Sequence, residues 1–197
     1  RCDKIVNLGI NVGNLWKLMK CAGNDDSFQI KADVNPNHIQ ITFENVSAKK
    51  CCVFNLSLIQ IDSEHLGIPE TNHGSIVMMN SNEFSKITKE LYHLSETVNI
   101  ETNQSYVSFS IQGEQVNGTI KIENNDTQNS KTIIKGDEAV NLAFALRYLN
   151  MFTKATSLSE FVFLYLSNDY PLKVEYVLEG LGSLKYYLAP RIAEDGK

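Results

Sequence analysis

Apolar and polar side chains alternate along this chain in three sets of three short stretches. The first set is Ser27 to Asp33, His38 to Glu44 and Cys51 to Ile59. The second is Thr97 to Thr102, Tyr106 to Ile111 and Gly118 to Glu123, and the third Phe161 to Ser167, Lys173 to Leu178 and Ser183 to Leu188. A period of two puts Phe28, Ile30 and Ala32, or Ile39, Ile41 and Phe43, on one face of a strand, so nine strands are predicted. A segment of helical period precedes each set. Ile10 to Lys20 lies over Met79 to Lys89 without a gap, matching Asn11 with Asn80, Lys17 with Lys86 and Lys20 with Lys89. Val140 to Thr156 fits more weakly, with Leu146 and Leu149 where the others have Leu15 and Leu18, then Phe84 and Ile87. The repeating unit is one helix followed by three strands, which predicts an α+β fold.

At 100° per residue Val12, Leu15, Leu18 and Met19 form one stripe and Lys17 and Lys20 point the opposite way. Phe84, Ile87 and Leu91 face inward on the second helix, leaving Lys86, Lys89 and His93 outward. On the third, Leu142, Leu146 and Leu149 face the sheet while Arg147 and Lys154 point away. The chain as a whole is acidic, with 18 Lys and Arg against 23 Asp and Glu and a net charge of −5. Bulk positive charge therefore cannot draw it to nucleic acid, and only a local basic face could. Lysines on one solvated helix are commonplace; their recurrence at equivalent positions is what carries information. Segments 9–23 and 142–156 contain no Asp or Glu, whereas Glu83 and Glu90 dilute the middle helix.

Residues 59–74 (IQIDSEHLGIPETNHG) break the pattern and read as a connector, giving domains over residues 1–58 and 75–197. The end of the chain, KYYLAPRI at 185–192, is unusually apolar and fits a docking surface. No catalytic constellation emerges. Cys2, Cys21, Cys51 and Cys52 lack the spacing of a metal site or of a nucleophile with His38, His65, His73 or His93. The GEQVNG run at 113–118 lacks the Lys-Ser/Thr end of a phosphate loop and reads as a hairpin turn. No enzyme activity, cofactor or metal is expected. The longest uncharged apolar run, Phe161 to Leu166, is far short of the ~20 residues of a membrane-spanning helix, and no membrane partner is expected. Five Asn-x-Ser/Thr sequons, at Asn45, Asn55, Asn103, Asn117 and Asn125, keep a secreted β-rich binding module as an alternative.

RCD at 1–3, KCAGN at 20–24, HLGIPE at 65–70, FALRYLNMFTKAT at 144–156 and LKYYLAP at 184–190 fall in order and in register with the proliferating cell nuclear antigen family of DNA sliding clamps, which the whole chain resembles. The resemblance implies a nuclear homotrimeric ring, with helices lining a channel for duplex DNA and sheets forming the outer wall. It implies a polymerase processivity factor that docks DNA polymerase delta, the clamp loader, flap endonuclease and DNA ligase through short peptides. The channel positions would be Lys17, Lys20, Lys86, Lys89, His93, Arg147 and Lys154. The peptide groove would use Leu66, Ile68, Pro69, Pro171, Tyr187, Leu188, Ala189, Pro190 and Ile192. The subunit interface would join the strand of Cys51, Cys52 and Phe54 to Leu91, Leu94, Gly118, Ile120 and Lys121 of a neighbour. Three departures accompany the match. Three repeat units occur where the family has four, so the first is expected to be missing, and the start at Arg1 reads as a fragment. Gln104 stands where many relatives carry a ubiquitin-accepting lysine, and His73 replaces an aromatic residue of the connector. A checkpoint-type clamp subunit of a heterotrimer is the other reading within this fold.

Overall fold

The computed structural model describes residues 6–33, 36–61, 73–113, 115–127 and 130–191. The chain divides into two units, residues 1–68 and 69–197.

In the first unit, α1 (Val12–Met19) starts at Asn11, whose side-chain oxygen accepts the Asn14 N–H at 3.0 Å and so satisfies one of the free donors of the first turn. Three strands follow, β1 (Ser27–Lys31), β2 (His38–Asn45) and β3 (Lys50–Ser57), in an antiparallel sheet ordered β1-β2-β3. Its core is Ile39, Ile41, Phe43 and Leu56, with Leu15 and Leu18 of α1 packed alongside. The expected stripe of α1 is thus only half realised, since Val12 stays 74% exposed and Met19 is exposed too. A three-stranded sheet shields only the side of the helix carrying Leu15 and Leu18.

The second unit contains the helix-plus-three-strand motif twice, each time with an extra leading strand. The first copy is β4 (Ser75–Asn80), α2 (Ser81–Tyr92), β5 (Thr97–Thr102), β6 (Tyr106–Gln112) and β7 (Asn117–Glu123). A polar hairpin, β8 (Asn125–Thr127) and β9 (Ser130–Gly136), leads to the second copy. That copy is β10 (Val140–Ala145), α3 (Leu146–Phe152), a 3-10 helix (Thr153–Leu158), β11 (Phe161–Leu166), β12 (Leu172–Leu178) and β13 (Gly182–Leu188). The copies exchange their leading strands. β4 pairs antiparallel with β11, from Ser75 opposite Leu166 to Asn80 opposite Phe161. β10 pairs with β5 in the same manner, from Val140 opposite Thr102 to Ala145 opposite Thr97. The result is a four-stranded sheet, β10-β5-β6-β7, and a six-stranded one, β13-β12-β11-β4-β9-β8. One core, including Phe84, Ile87, Leu91, Phe109, Phe144, Leu146, Leu149 and Leu164, joins both helices to both sheets.

All nine predicted strands form, with ends displaced by one or two residues. The helical reading of Val140 to Thr156 needs correction, because its first six residues are β10 and its last turn tightens into the 3-10 helix. Leu142 therefore lies on a strand and not on a helix stripe. Gly113 N–H donates to the Val116 carbonyl at 3.0 Å between β6 and β7, consistent with a hairpin there. Among the described residues no helix is long and apolar enough to cross a membrane.

Candidate functional site

The helix faces opposite the packed apolar side chains carry the cationic residues. Phe84, Ile87 and Leu91 of α2 are buried, while Lys86 and Lys89, two residues along from the first two, are exposed. Lys17, Lys20, His93, Arg147 and Lys154 are exposed as well. Several have local partners. Lys20 Nζ sits 3.5 Å over the Trp16 ring, and Arg147 stacks on Tyr148 at 4.5 Å while donating to its hydroxyl at 2.9 Å. Lys86 lies 3.9 Å from Glu90 one turn on, an exposed pair that water and salt screen. Lys154 belongs to the 3-10 helix, so it does not stand two α-helical turns beyond Arg147.

A second surface lies at one end of the outer face of the six-stranded sheet. Lys173 of β12 stands opposite Tyr165 of β11 and Tyr187 of β13, placing the three side chains in one row. Lys173 Nζ lies 3.5 Å over the Tyr165 ring and 3.7 Å from Glu175, which Lys185 approaches at 3.8 Å. Burial pushes the Tyr165 hydroxyl up to about 12, reinforced by its hydrogen bond to Glu175. The His73 ring packs 5.4 Å from Tyr165 and 6.4 Å from Tyr170, and burial, with Lys173 second, lowers its pKa below 6.5. Pro171 and Ala189 are exposed, and Leu188 and Pro190 half-buried. The segment after β13 is fixed by Arg191, whose N–H donates to the Ala143 carbonyl at 2.7 Å and whose guanidinium donates to Thr97 Oγ1 at 2.6 Å. Leu66, Ile68, Pro69 and Ile192 lie outside the described residues.

Two sheet edges form the third surface. β3 ends the first unit's sheet and β7 ends the four-stranded sheet, so among the described residues each has one side without a strand partner in its own sheet. Cys51 is exposed; Cys52 and Phe54 turn inward, with Phe54 6.0 Å from Phe43. On β7, Gly118 and Ile120 are half-buried and Lys121 Nζ lies 4.1 Å over the Tyr106 ring. Leu94 is exposed. Leu91 is 4% exposed and packs within the core of its own unit.

Two family profiles match this chain. The N-terminal domain of proliferating cell nuclear antigen matches residues 1–65, and the C-terminal domain of the same protein matches residues 67–191. The chain belongs to the proliferating cell nuclear antigen family. The repeated helix-and-sheet units are accordingly the DNA-clamp α+β fold, that of a non-catalytic sliding clamp of DNA replication and repair. Among the described residues of this clamp chain, no three His, Cys, Asp or Glu side chains cluster as metal ligands would. The sequence pattern missed Tyr165, Tyr170, Lys173 and Glu175 beside the C-terminal part of the expected groove. Only Tyr165 had a local signal: FVFLYL at 161–166 is apolar on both faces, with Phe161, Phe163 and Tyr165 on one of them, so whichever face points outward is apolar.

Proposed function

We propose that this clamp chain works as a homotrimeric ring around duplex DNA in the nucleus, serving as polymerase processivity factor and docking platform. The observation that carries the reading is the recurrence of exposed Lys and Arg on every helix, on the face opposite its packed stripe. Cations spaced in this way meet phosphates without reading bases, so attraction is sequence-independent, falls with salt and permits sliding. Topology supplies retention. The open edges of β3 and β7 support closure of the ring by strand pairing between subunits, which removes both edges from solvent. The exposed Pro171, Tyr187 and Ala189 support a groove shared with the connector at 59–74 between domains 1–58 and 75–197. Short peptides of DNA polymerase delta, the clamp loader, flap endonuclease and DNA ligase would dock there.

Charge reversal of Lys17, Lys20, Lys86 and Lys154 together tests the channel. The fold should persist, because all four point to solvent. Residence on linear DNA should shorten, and the slope of log affinity against log salt should flatten by about 0.9 for each phosphate that is no longer neutralised. An unchanged salt slope with intact circular dichroism would remove these faces from the DNA path. Native mass spectrometry adds a check on the secreted alternative, since a glycan on Asn55 of β3 or Asn117 of β7 would obstruct the edges that ring closure uses.

A further inference from the structure

Four residues along the strands from Tyr187, about 13 Å at strand rise, the outer face of the six-stranded sheet holds a groove of about 510 Å³. Its apolar surface comes from Leu158, Phe161, Phe163 and Val177, and its carboxylates from Glu160 and Glu179. Leu158 is 52% exposed and Val177 42%, although both belong to regular elements. The walls are held by backbone-directed bonds: Ser159 Oγ donates to the Phe161 carbonyl at 2.9 Å, and Ser81 N–H donates to the Glu160 carbonyl at 2.8 Å. Beyond Glu179 the turn into β13 uses positive φ at Gly180 (74°) and Gly182 (129°), a conformation other residues adopt only with strain.

The two carboxylates decide what this groove accepts. Among the described residues neither Glu160 nor Glu179 has a Lys, Arg or His nitrogen within 4.0 Å. One row along the same sheet, Glu175 is held between Lys173 and Lys185. An apolar floor flanked by unneutralised negative charge repels nucleic acid and acidic peptides, and favours an aliphatic side chain flanked by cations. We infer that this groove is a second peptide-docking site, separate from the one around Tyr187 and Pro190, for a partner segment that carries an aliphatic anchor between Lys or Arg residues. Preformed walls mean little ordering cost falls on the clamp when such a segment binds.

The test uses the full chain and a fluorescein-labelled peptide, Arg-Lys-Ile-Leu-Arg-Lys, followed by anisotropy. Saturable binding is expected, weakened about fivefold by Glu160→Gln with Glu179→Gln, since exposed ion pairs are individually small. Val177→Ser should weaken it comparably, and Pro190→Ala should leave it unchanged. Because Val177 is exposed, its variant should keep the parent's tyrosine circular dichroism. The acidic counterpart, Glu-Asp-Ile-Leu-Glu-Asp, should not bind. Equal affinity for the double Gln variant and the parent would overturn the site, as would equal binding of the acidic peptide or no binding of the basic one. Light scattering that shows self-association abolished by Val177→Ser would also overturn it, by giving the groove to a second copy of the chain.

Discussion

Both units use one helix and three following strands, yet the second buries far more of what it folds. Helix α1 has no buried residue, whereas α2 has six, among them Phe84, Ile87 and Leu91. Every residue of β1 is exposed, including Phe28 at 47%, while β5 alternates half-buried and buried positions as a core strand should. Sequence quality does not explain this, since the α1 and β1 residues are as apolar as their counterparts. The second unit differs by having two copies of the motif that exchange leading strands, so that α2 packs on α3 and each sheet gains a fourth strand from the other copy. A single helix on three strands thus closes only a small core around Ile39, Ile41, Phe43 and Leu56, and leaves α1 and β1 without a buried residue. Among the described residues four buried apolar side chains make the first core and twenty-two the second.

The largest effect that could break this comparison comes from truncating equivalent helix positions. Phe84→Ala removes a fully buried ring and should cost about 3–5 kcal/mol. Leu15→Ala, at the matching position of α1, removes a half-buried side chain with room to relax and should cost roughly 1 kcal/mol. The chain supplies its own probes: Trp16 is its one tryptophan and lies in the first unit, and all eight tyrosines lie in the second. In urea, Trp16 fluorescence should change before the tyrosine signal, and Phe84→Ala should move the tyrosine transition most. Coincident transitions with equal losses for both variants would show that the units fold as one.

Most of the nine strands that the pattern predicts were legible because one face is buried or half-buried and period two reports that face directly, and β1 keeps the period although every residue of it is exposed. β4 and β10 were not legible, for an identifiable reason. Each runs without a loop into its helix, with Asn80 or Ala145 as the single junction residue, so SIVMMN and VNLAFA merge into the helical segment behind them. β8 and β9 are too polar to signal, and their pairing is set by the chain's return between the two copies. The outward direction of the cationic residues was legible from helical phase alone, because Phe84, Ile87 and Leu91 fix the face of α2. The outer row of Tyr165, Lys173 and Tyr187 depends on cross-strand register, which no local period contains.

Alkali should sharpen the contrast by acting on one unit only. Burial pushes Tyr176 up to about 12, and Tyr165 likewise, from an ordinary 10.0. A raised pKa means that the unfolded chain releases these protons first. The stability they contribute is fully present below pH 10 and lost as pH rises toward 12. Phenolate absorbance should show Tyr165 and Tyr176 ionising late and together with loss of tyrosine circular dichroism, before or without any shift attributable to Trp16, while Tyr106, raised first by its hydrogen bond to Glu101, lags without unfolding. Tyr176→Phe should remove part of the lag. If the variant and its parent both ionise as free tyrosine does, the second core is wetter than its packing implies.

The smallest expected effect is at His73, where the second unit meets solvent. Its ring packs on Tyr165 and Tyr170, and burial first, then the charge of Lys173, lowers its pKa from 6.5. A histidine with a lowered folded pKa resists the proton that the unfolded chain accepts. Stability is therefore intact above the ordinary histidine range and falls as pH drops below 6.5 toward the lowered value. The residue is only half-buried, so the loss is modest, and it should be seen in the tyrosine signal of the second unit and not in Trp16 fluorescence. His73→Phe keeps the ring contacts and removes the titration, so its melting temperature should change less between neutral and mildly acid solution than the parent's. The same variant restores an aromatic side chain at the end of the connector. An acid sensitivity that survives His73→Phe would assign the effect to other groups of the second unit and leave His73 as a packing residue only.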